Sequence, residues 1–359
     1  MNNASSTLTG SGNIVVKGLL DFTNQGKIRT TAPGSKLTVQ GGMRLDSFDA
    51  TFDGRIFELA SDTQHIRATL HLQNGAVFNN HAGSTWLETG NSKINDGTFN
   101  NAGTFTKNGG TGTSTISSAF TNTGTVNAMT GTLTFSGSYT QTSGTLHLNG
   151  GSIGKTGAPL DVSGGIVKGS GSIAGDLDVN GGRIMLEIGG DSPGVTHDQI
   201  VITGTTDFNT GIIEVEFIDD YAPQAGQEFV LLISAGLNGI PQIVVTGLAQ
   251  GWQFATQYDP ATDEFKLTAL SDGVPGDGAQ PLTISAPTLS PPPEGTNGKS
   301  VSTTASGPPG AVVRLEASGN LEQWNTLATE TFDSSGNATF NNIHDPLAGD
   351  RRFYRLASP

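Results

Sequence analysis

Phe78-Asn79-Asn80-His81-Ala82-Gly83, Phe99-Asn100-Asn101-Ala102-Gly103, Phe120-Thr121-Asn122-Thr123-Gly124 and Tyr139-Thr140-Gln141-Thr142-Ser143-Gly144 are versions of one pattern. Each has an aromatic residue, an amide side chain two positions on, and a glycine two or three positions later. The aromatic residues recur at steps of 21, 21 and 19 positions and the glycines at steps of 20, 21 and 20, with an outlying copy at Phe22, Asn24 and Gly26. A period near 20 without helical patterning is too short for helix-pair repeats and fits one coil of a β-solenoid. The leucine-rich repeat shares the period, but its leucine and asparagine consensus is missing here.

In a solenoid each strand hydrogen-bonds to the equivalent strand of the coils above and below, and equivalent side chains form ladders. Phe78, Phe99, Phe120 and Tyr139 are therefore expected as an aromatic column, and Asn80, Asn101, Asn122 and Gln141 as an amide ladder in which each amide donates to the next. Repetition at the coil period favours this structural role over any ligand role for the asparagines. The glycines are assigned to turns that need positive φ. A second signal is an apolar-polar-apolar triplet before a glycine pair: Leu37-Thr38-Val39, Leu146-His147-Leu148, Leu160-Asp161-Val162 and Leu177-Asp178-Val179. Alternation turns the apolar residues inward and leaves His147, Asp161 and Asp178 facing solvent.

Working outward from the repeats, residues 1–190 read as a β-solenoid of roughly nine coils, on the order of 40 Å long at about 4.8 Å per coil. Ser47 to His71 fits the repeat poorly and reads as an insertion or an irregular coil. Residues 191–270 lose the glycine pairs and gain longer strands, such as Gly211 to Ile218, and read as a capping β-structure continuous with the solenoid. Residues 271–282 read as a linker, and 283–359 as a small β-sandwich with Trp324 as core anchor beside Phe332, Phe340, Phe353 and Tyr354. The fold class is all-β: a parallel β-helix of about 20 residues per coil, a β-rich cap and a C-terminal immunoglobulin-like sandwich.

Composition agrees with strands and turns. The 359 residues include 51 glycines and no cysteine, with 14% charged, 7% aromatic and 34% hydrophobic residues. Disulfides and thiolate metal sites are excluded, so packing and backbone hydrogen bonds must hold the chain together. The regular apolar runs set disorder well behind β-structure. A formal net charge of −14 argues against nucleic acid and anionic lipid as partners, and no apolar run is long enough to cross a bilayer. Met1 to Gly10 is polar and shows no export signal, although the composition is of extracellular type; a removed leader or a fragment of a longer chain would account for this.

The segment from Phe99 to Phe229 resembles autotransporter-like passenger repeats of large secreted proteins from environmental Gram-negative bacteria. The residues that carry the resemblance are Gly124-Thr125-Val126, Gly131-Thr132-Leu133, Gly169 to Leu177, and His197-Asp198-Gln199-Ile200 leading to Tyr221 and Gly226-Gln227-Glu228-Phe229. The resemblance implies a β-helix followed by a terminal segment of this kind. The C-terminal module is similar to the small β-sandwich ends of such proteins through Ala317-Ser318, Leu321, Trp324 and Arg352-Phe353-Tyr354-Arg355. No translocator barrel and no sorting tail is seen, so a single-chain autotransporter is not expected.

Parallel β-helices also carry polysaccharide lyases and hydrolases, which need clustered carboxylates and a base on one exposed face. The best such cluster, and the one carbohydrate or ion patch the sequence offers, is Asp46, Asp49, Asp53 and Arg55, beside Arg44. A solvated, internally neutralised surface is the expectation for it, and an enzyme would need it to converge with Lys27, Arg29 or Arg67. Asp219-Asp220-Tyr221 reads as a turn. The six histidines show no zinc spacing, and neither a phosphate loop nor a nucleophile elbow is present. No cofactor, metal or catalytic residue is expected; the acidic linker around Asp272 and Asp277 could hold calcium only weakly, since it lacks the alternating aspartates of a calcium loop. The expected function is that of an extracellular or cell-surface structural or adhesive protein. Its expected partners are copies of itself in end-to-end contact, glycans or a surface matrix. The alternative is a β-helical polysaccharide-active enzyme.

Overall fold

Parallel strand pairing dominates the computed structural model, which describes residues 6–239, 241–249, 251–271, 283–292, 297–307, 310–319, 323–346 and 353–357, the side chain of Ser47 apart. Two compact units are distinguished. One comprises residues 1–221, 228–247 and 256–267; the other comprises 222–227, 248–255 and 268–359.

The first unit is a parallel β-solenoid of about nine turns with roughly 21 residues per turn. The coil Thr98–Asn101, Thr104–Lys107, Thr113–Ile116 is followed by Ala119–Asn122, Thr125–Ala128, Thr132–Phe135 in the same order. The first strand of each coil joins a seven-stranded parallel sheet that runs from Ile14–Val16 to Tyr139–Gln141. The other strands of the coil form a second sheet. Within a strand, alternate residues point inward, so Phe120 and Asn122 or Val126 and Ala128 are buried while the intervening threonines and asparagines stay half-exposed. Stacking satisfies the backbone of each strand on both edges, which is why so weakly charged and glycine-rich a chain can fold on ladders alone.

The repeat glycines serve two different purposes. Gly83 and Gly144 have φ of 85° and 80°, which a side chain disfavours. Gly103 and Gly124 lie outside that region and are required by close approach instead: a Cβ on Gly124 would lie 2.1 Å from the carbonyl oxygen of Gly103. The assignment of all of them to positive φ is corrected accordingly.

Ser47 to His71 is part of the regular stack rather than an insertion. Met43–Asp53 and Thr63–Gln73 are 11-residue parallel strands paired from Met43↔Thr63 to Asp53↔Gln73. One residue is extra on the second strand between His65 and Arg67, and one on the first between Asp46 and Asp49, so the register slips and then recovers. The slips shift the inward alternation from Met43 and Leu45 to Ala50 and Phe52, all buried, which is what hides the repeat in the sequence.

The stack also runs on past residue 190. Ile184↔Ile213↔Ile243 and Ile173↔Ile202↔Ser234 remain in parallel register, while the coil lengthens to steps of 29–32 residues. The lengthening accounts for the loss of the glycine-pair signal. Among the described residues there is no helix long and apolar enough to cross a membrane.

The interior of the early coils is closed partly by an unexpected residue. Arg55 is fully buried, and its guanidinium donates to the carbonyl oxygens of Gly10 (2.8 Å), Gly12 (2.9 Å), Arg29 (3.2 Å) and Lys36 (3.4 Å). Arg55→Met should therefore strip these carbonyls of a donor and destabilise the surrounding coils by about 2–3 kcal/mol. In hydrogen exchange the amides of Ile14–Val16 and Gly26–Arg29 should lose protection, with those of Thr125–Ala128 unchanged.

In the second unit, Thr283–Ile284, Thr288–Ser290, Lys299–Ser306 and Asn337–Asp345 form one antiparallel sheet, and Val312–Ser318, Asn325–Thr331 and Phe353–Ala357 another. Val301, Val313, Leu315, Phe332 and Phe340 are its core. Trp324 is not the anchor: it is half-buried, with the Arg355 guanidinium 4.2 Å from its ring centre, while Arg355 is held by Glu316 at 2.8 Å. Phe353 is exposed on its strand. The core is made instead by the two buried phenylalanines and aliphatic residues, and the indole is not among the side chains packed against it. The expected linker, apart from Ser271, lies outside the described residues, as do Asp272, Asp277, Leu321 and Arg352.

Candidate functional site

Three sets of side chains could carry function: the stacked ladders, a polar cluster inside the coils, and the charged patch around Asp49. The ladders come first because they set the frame. Register pairs Phe78, Phe99, Phe120 and Tyr139 in succession, and Asn80, Asn101, Asn122 and Gln141 likewise. The rings stack at centroid distances of 5.0, 5.2 and 6.1 Å, within 9–15° of parallel. Trp86 and Phe105 form a second column that meets the first edge-on.

Beside the rings, Asn80 Nδ2 donates to Asn101 Oδ1 at 2.7 Å, Asn101 Nδ2 to Asn122 Oδ1 at 2.9 Å, and Asn122 Nδ2 to Gln141 Oε1 at 3.1 Å. The same three amide nitrogens also donate to the carbonyls of Thr104, Thr125 and Thr145. Both amide protons are used, the four side chains are buried, and no ligand can reach them.

The polar cluster was not foreseen. His65, Glu88 and Lys107 occupy consecutive rungs of one inward-facing ladder, where Leu45, Ala128 and Leu148 occupy the rungs around them. All three are buried. Glu88 Oε1 lies 2.5 Å from His65 Nδ1 and accepts from the Trp86 indole at 2.8 Å. The Lys107 ammonium donates to Gly90 O, Gly109 O, Ser114 Oγ and Asn91 Oδ1 at 2.9–3.4 Å. Burial pushes the Lys107 pKa down, against an opposing pull from Glu88. The pattern Trp86-x-Glu88 and Phe105-x-Lys107 contained the signal, since each charge sits two residues beyond a buried aromatic ring. Sealed from solvent, this cluster has the character of a structural lock.

The charged patch lies on the outer side of the coils, although Asp53 there is only 7% exposed. Asp46 is gripped by Arg44 at 2.8 Å and Arg67 at 2.9 Å, and these hydrogen bonds hold its carboxyl below the usual range. Asp53 pairs with Lys27 at 2.6 Å and accepts from Asn74 at 2.7 Å, with the same consequence. Asp49 is 47% exposed and faces His71 Nε2 at 3.5 Å; Asp96 lies 3.8 Å from the other ring nitrogen. The structure thus brings Asp46 to Arg67 and Asp53 to Lys27, and leaves Asp49 beside a histidine. It takes Arg55 away from them: Gly54 (φ 72°) ends the strand, and the chain re-enters the core at Arg55, so the alternation that would have placed Arg55 beside Asp53 is broken. A groove of about 470 Å³ opens here, lined among others by Gln25, Lys27, Asp49, Thr51, His71 and Gln73.

Elsewhere, His147, Asp161 and Asp178 are half-exposed, and Asp161, Asp178 and Asp207 stack on successive coils. Burial, followed by repulsion from Asp207, raises the Asp178 pKa. Among the described residues no group of three or more histidine and acidic side chains is placed to hold a metal ion. Asp219 and Asp220 form a turn with φ of 54° and 56°.

One outer carboxylate supplies a pH prediction. Burial opposes ionisation of Glu58, but hydrogen bonds from Lys36, Asn79 and His81 outweigh it and lower the pKa from 4.5 to about 2. A carboxyl more acidic in the folded than in the unfolded chain contributes stability above pH 4.5, which is lost as pH falls toward 2. Urea midpoints measured down this range should fall more steeply for the parent than for Glu58→Gln, by about 2 kcal/mol once solvent screening is allowed for.

No protein-family model matches the chain, and no curated protein matches it in sequence.

Proposed function

We propose that the chain is an extracellular structural or adhesive surface protein, of autotransporter-passenger type, that acts by binding or by assembly into a fibre or appendage. The observation that carries this reading is the fate of the chemically capable side chains. His65, Glu88 and Lys107 are shut inside the coils, and Asp46 and Asp53 are committed to ion pairs. The outward positions of the repeat coils carry half-exposed threonine and asparagine side chains such as Thr98, Asn100, Thr121 and Asn127. The two antiparallel sheets of the second unit, with four and three strands, support reading it as an immunoglobulin-like docking module.

The experiment is negative-stain electron microscopy of the purified protein with and without calcium, alongside binding to immobilised polysaccharides and matrix. Ordered fibres identify an appendage subunit, and retention by a surface polymer identifies an adhesin; monodisperse particles retained by nothing contradict both.

A β-helical polysaccharide-active enzyme is the second reading. It rests on Asp49 and Asp96, which flank His71 on either side. Both carboxylates are about half-exposed to water, whereas a general acid needs a site that keeps it protonated. That difference favours the binding protein.

A further inference from the structure

We propose that Phe48 and the groove next to it form a binding subsite for a neutral polysaccharide, with the ring as a stacking platform. The inference rests on the surface-protein reading and names its ligand class. Phe48 is 81% exposed, whereas every other phenylalanine of the solenoid unit is at most 5% exposed. A chain that buries each other ring in its columns forgoes that gain at this one position.

The exposure has a structural cause. Asp46 pairs with Arg67 and Asp49 with Thr69, so the first strand carries one residue more than its partner over this stretch, and Phe48 lies in that bulge. Bulges re-aim side chains, and here both Phe48 and its neighbour Asp49 stand outside. Asp49 is also a wall of the groove, which puts the ring one residue from a cleft whose volume of about 470 Å³ is in the range of small-ligand sites.

Charge selects the class. Lys27 in the groove is neutralised by Asp53, and His71 stands between Asp49 and Asp96. No basic excess is left to attract a polyanion, and the net charge of −14 repels one. The remaining groups, the amides of Gln25 and Gln73, the Thr51 hydroxyl and the Asp49 carboxylate, are those that hydrogen-bond sugar hydroxyls. An aromatic face beside them suits the C–H face of a pyranose ring.

The test is native affinity electrophoresis of the full chain in gels containing laminarin, xyloglucan, glucomannan or dextran, with alginate and polygalacturonate as anionic controls. Retardation by at least one neutral polymer is expected, unchanged between 0.1 and 0.5 M salt as screening requires of an uncharged ligand. Phe48→Ala should weaken it at least about 10-fold, the loss of one stacking contact, and Phe48→Tyr should retain it. Thermal unfolding should be the same for all three proteins, because an 81% exposed ring contributes little to packing. No retardation by any neutral polymer, retention by the anionic polymers alone, or equal binding by Phe48→Ala overturns the proposal. Fibres or matrix adhesion without glycan retention would sink this inference and leave the surface-protein reading standing. Retention through Phe48 accompanied by cleavage of the polymer would do the reverse.

Discussion

Asn101→Ala is expected to destabilise the solenoid by about 3–5 kcal/mol, several times the effect of an ordinary surface change. The side chain accepts from Asn80 and donates to both Asn122 and the carbonyl of Thr125, all inside the coils. Alanine removes three hydrogen bonds at once and leaves a buried acceptor on Asn122 and another on Thr125 without this donor. Water cannot replace the lost partner as it would on the surface, so the desolvation cost of each orphan is retained. Asn100→Ala is the matched control. Asn100 sits on the outer, half-exposed side and donates to Asn79 at 2.9 Å, and its loss should cost under about 1 kcal/mol. Urea denaturation checks the difference. Because coils couple chiefly to their neighbours, hydrogen exchange should show the damage centred on residues 98–122 and fading along the stack.

Glu88→Ala should be of similar size, about 3–5 kcal/mol, for a different reason. It removes the carboxylate between His65 and Lys107, takes the acceptor from the Trp86 indole, and opens a cavity among aromatic rings. The informative comparison is the variant His65→Leu, Glu88→Leu, Lys107→Leu, which continues the apolar rung set by Leu45 and Leu148. Replacing a whole buried ionic group by apolar residues is commonly neutral or stabilising, whereas deleting one member is not. The triple variant is therefore expected above Glu88→Ala but below the parent in urea unfolding at pH 7, because it leaves no buried charge yet still strips the Trp86 indole of its acceptor and Gly90 O and Gly109 O of the Lys107 donor. A triple variant as damaged as the single one would mean that the ladder tolerates no other chemistry.

The aromatic, amide and glycine repeat was legible because coil stacking forces equivalent residues to recur at the coil period, and no other force in the chain does so. Legibility ended where the period broke. Between Leu45 and Asp49 the strands slip by one residue and recover, which moves the inward set out of phase and makes an ordinary coil read as an insertion. From Ile200 the coils lengthen, and the strands Ile200–Phe208 and Ile212–Phe217 look like a new structure although they stack in register on the old one.

The site was harder to read for the same reason. Asp46 and Asp49 do lie outside and Asp53 is on the same side though nearly covered, but counting in twos carried Arg55 to their side when the glycine before it had reversed the alternation. Phe48 was invisible as a surface feature, since only the bulge distinguishes it from the phenylalanines that fill the columns. Trp324 misled through its size: large rings are strong core candidates, but this one is covered by a cation rather than packed between sheets.

The central claim is that this solenoid binds and does not turn over. The measurement that tests it most directly is to incubate the purified protein with the four neutral polysaccharides, and to follow polymer length by size-exclusion chromatography together with the release of reducing and unsaturated ends. Retention of protein on at least one polymer, with polymer length and end groups unchanged, is the predicted result. Shortening of any polymer, abolished by Asp49→Asn or His71→Ala, would contradict it and make the groove beside Phe48 a catalytic cleft.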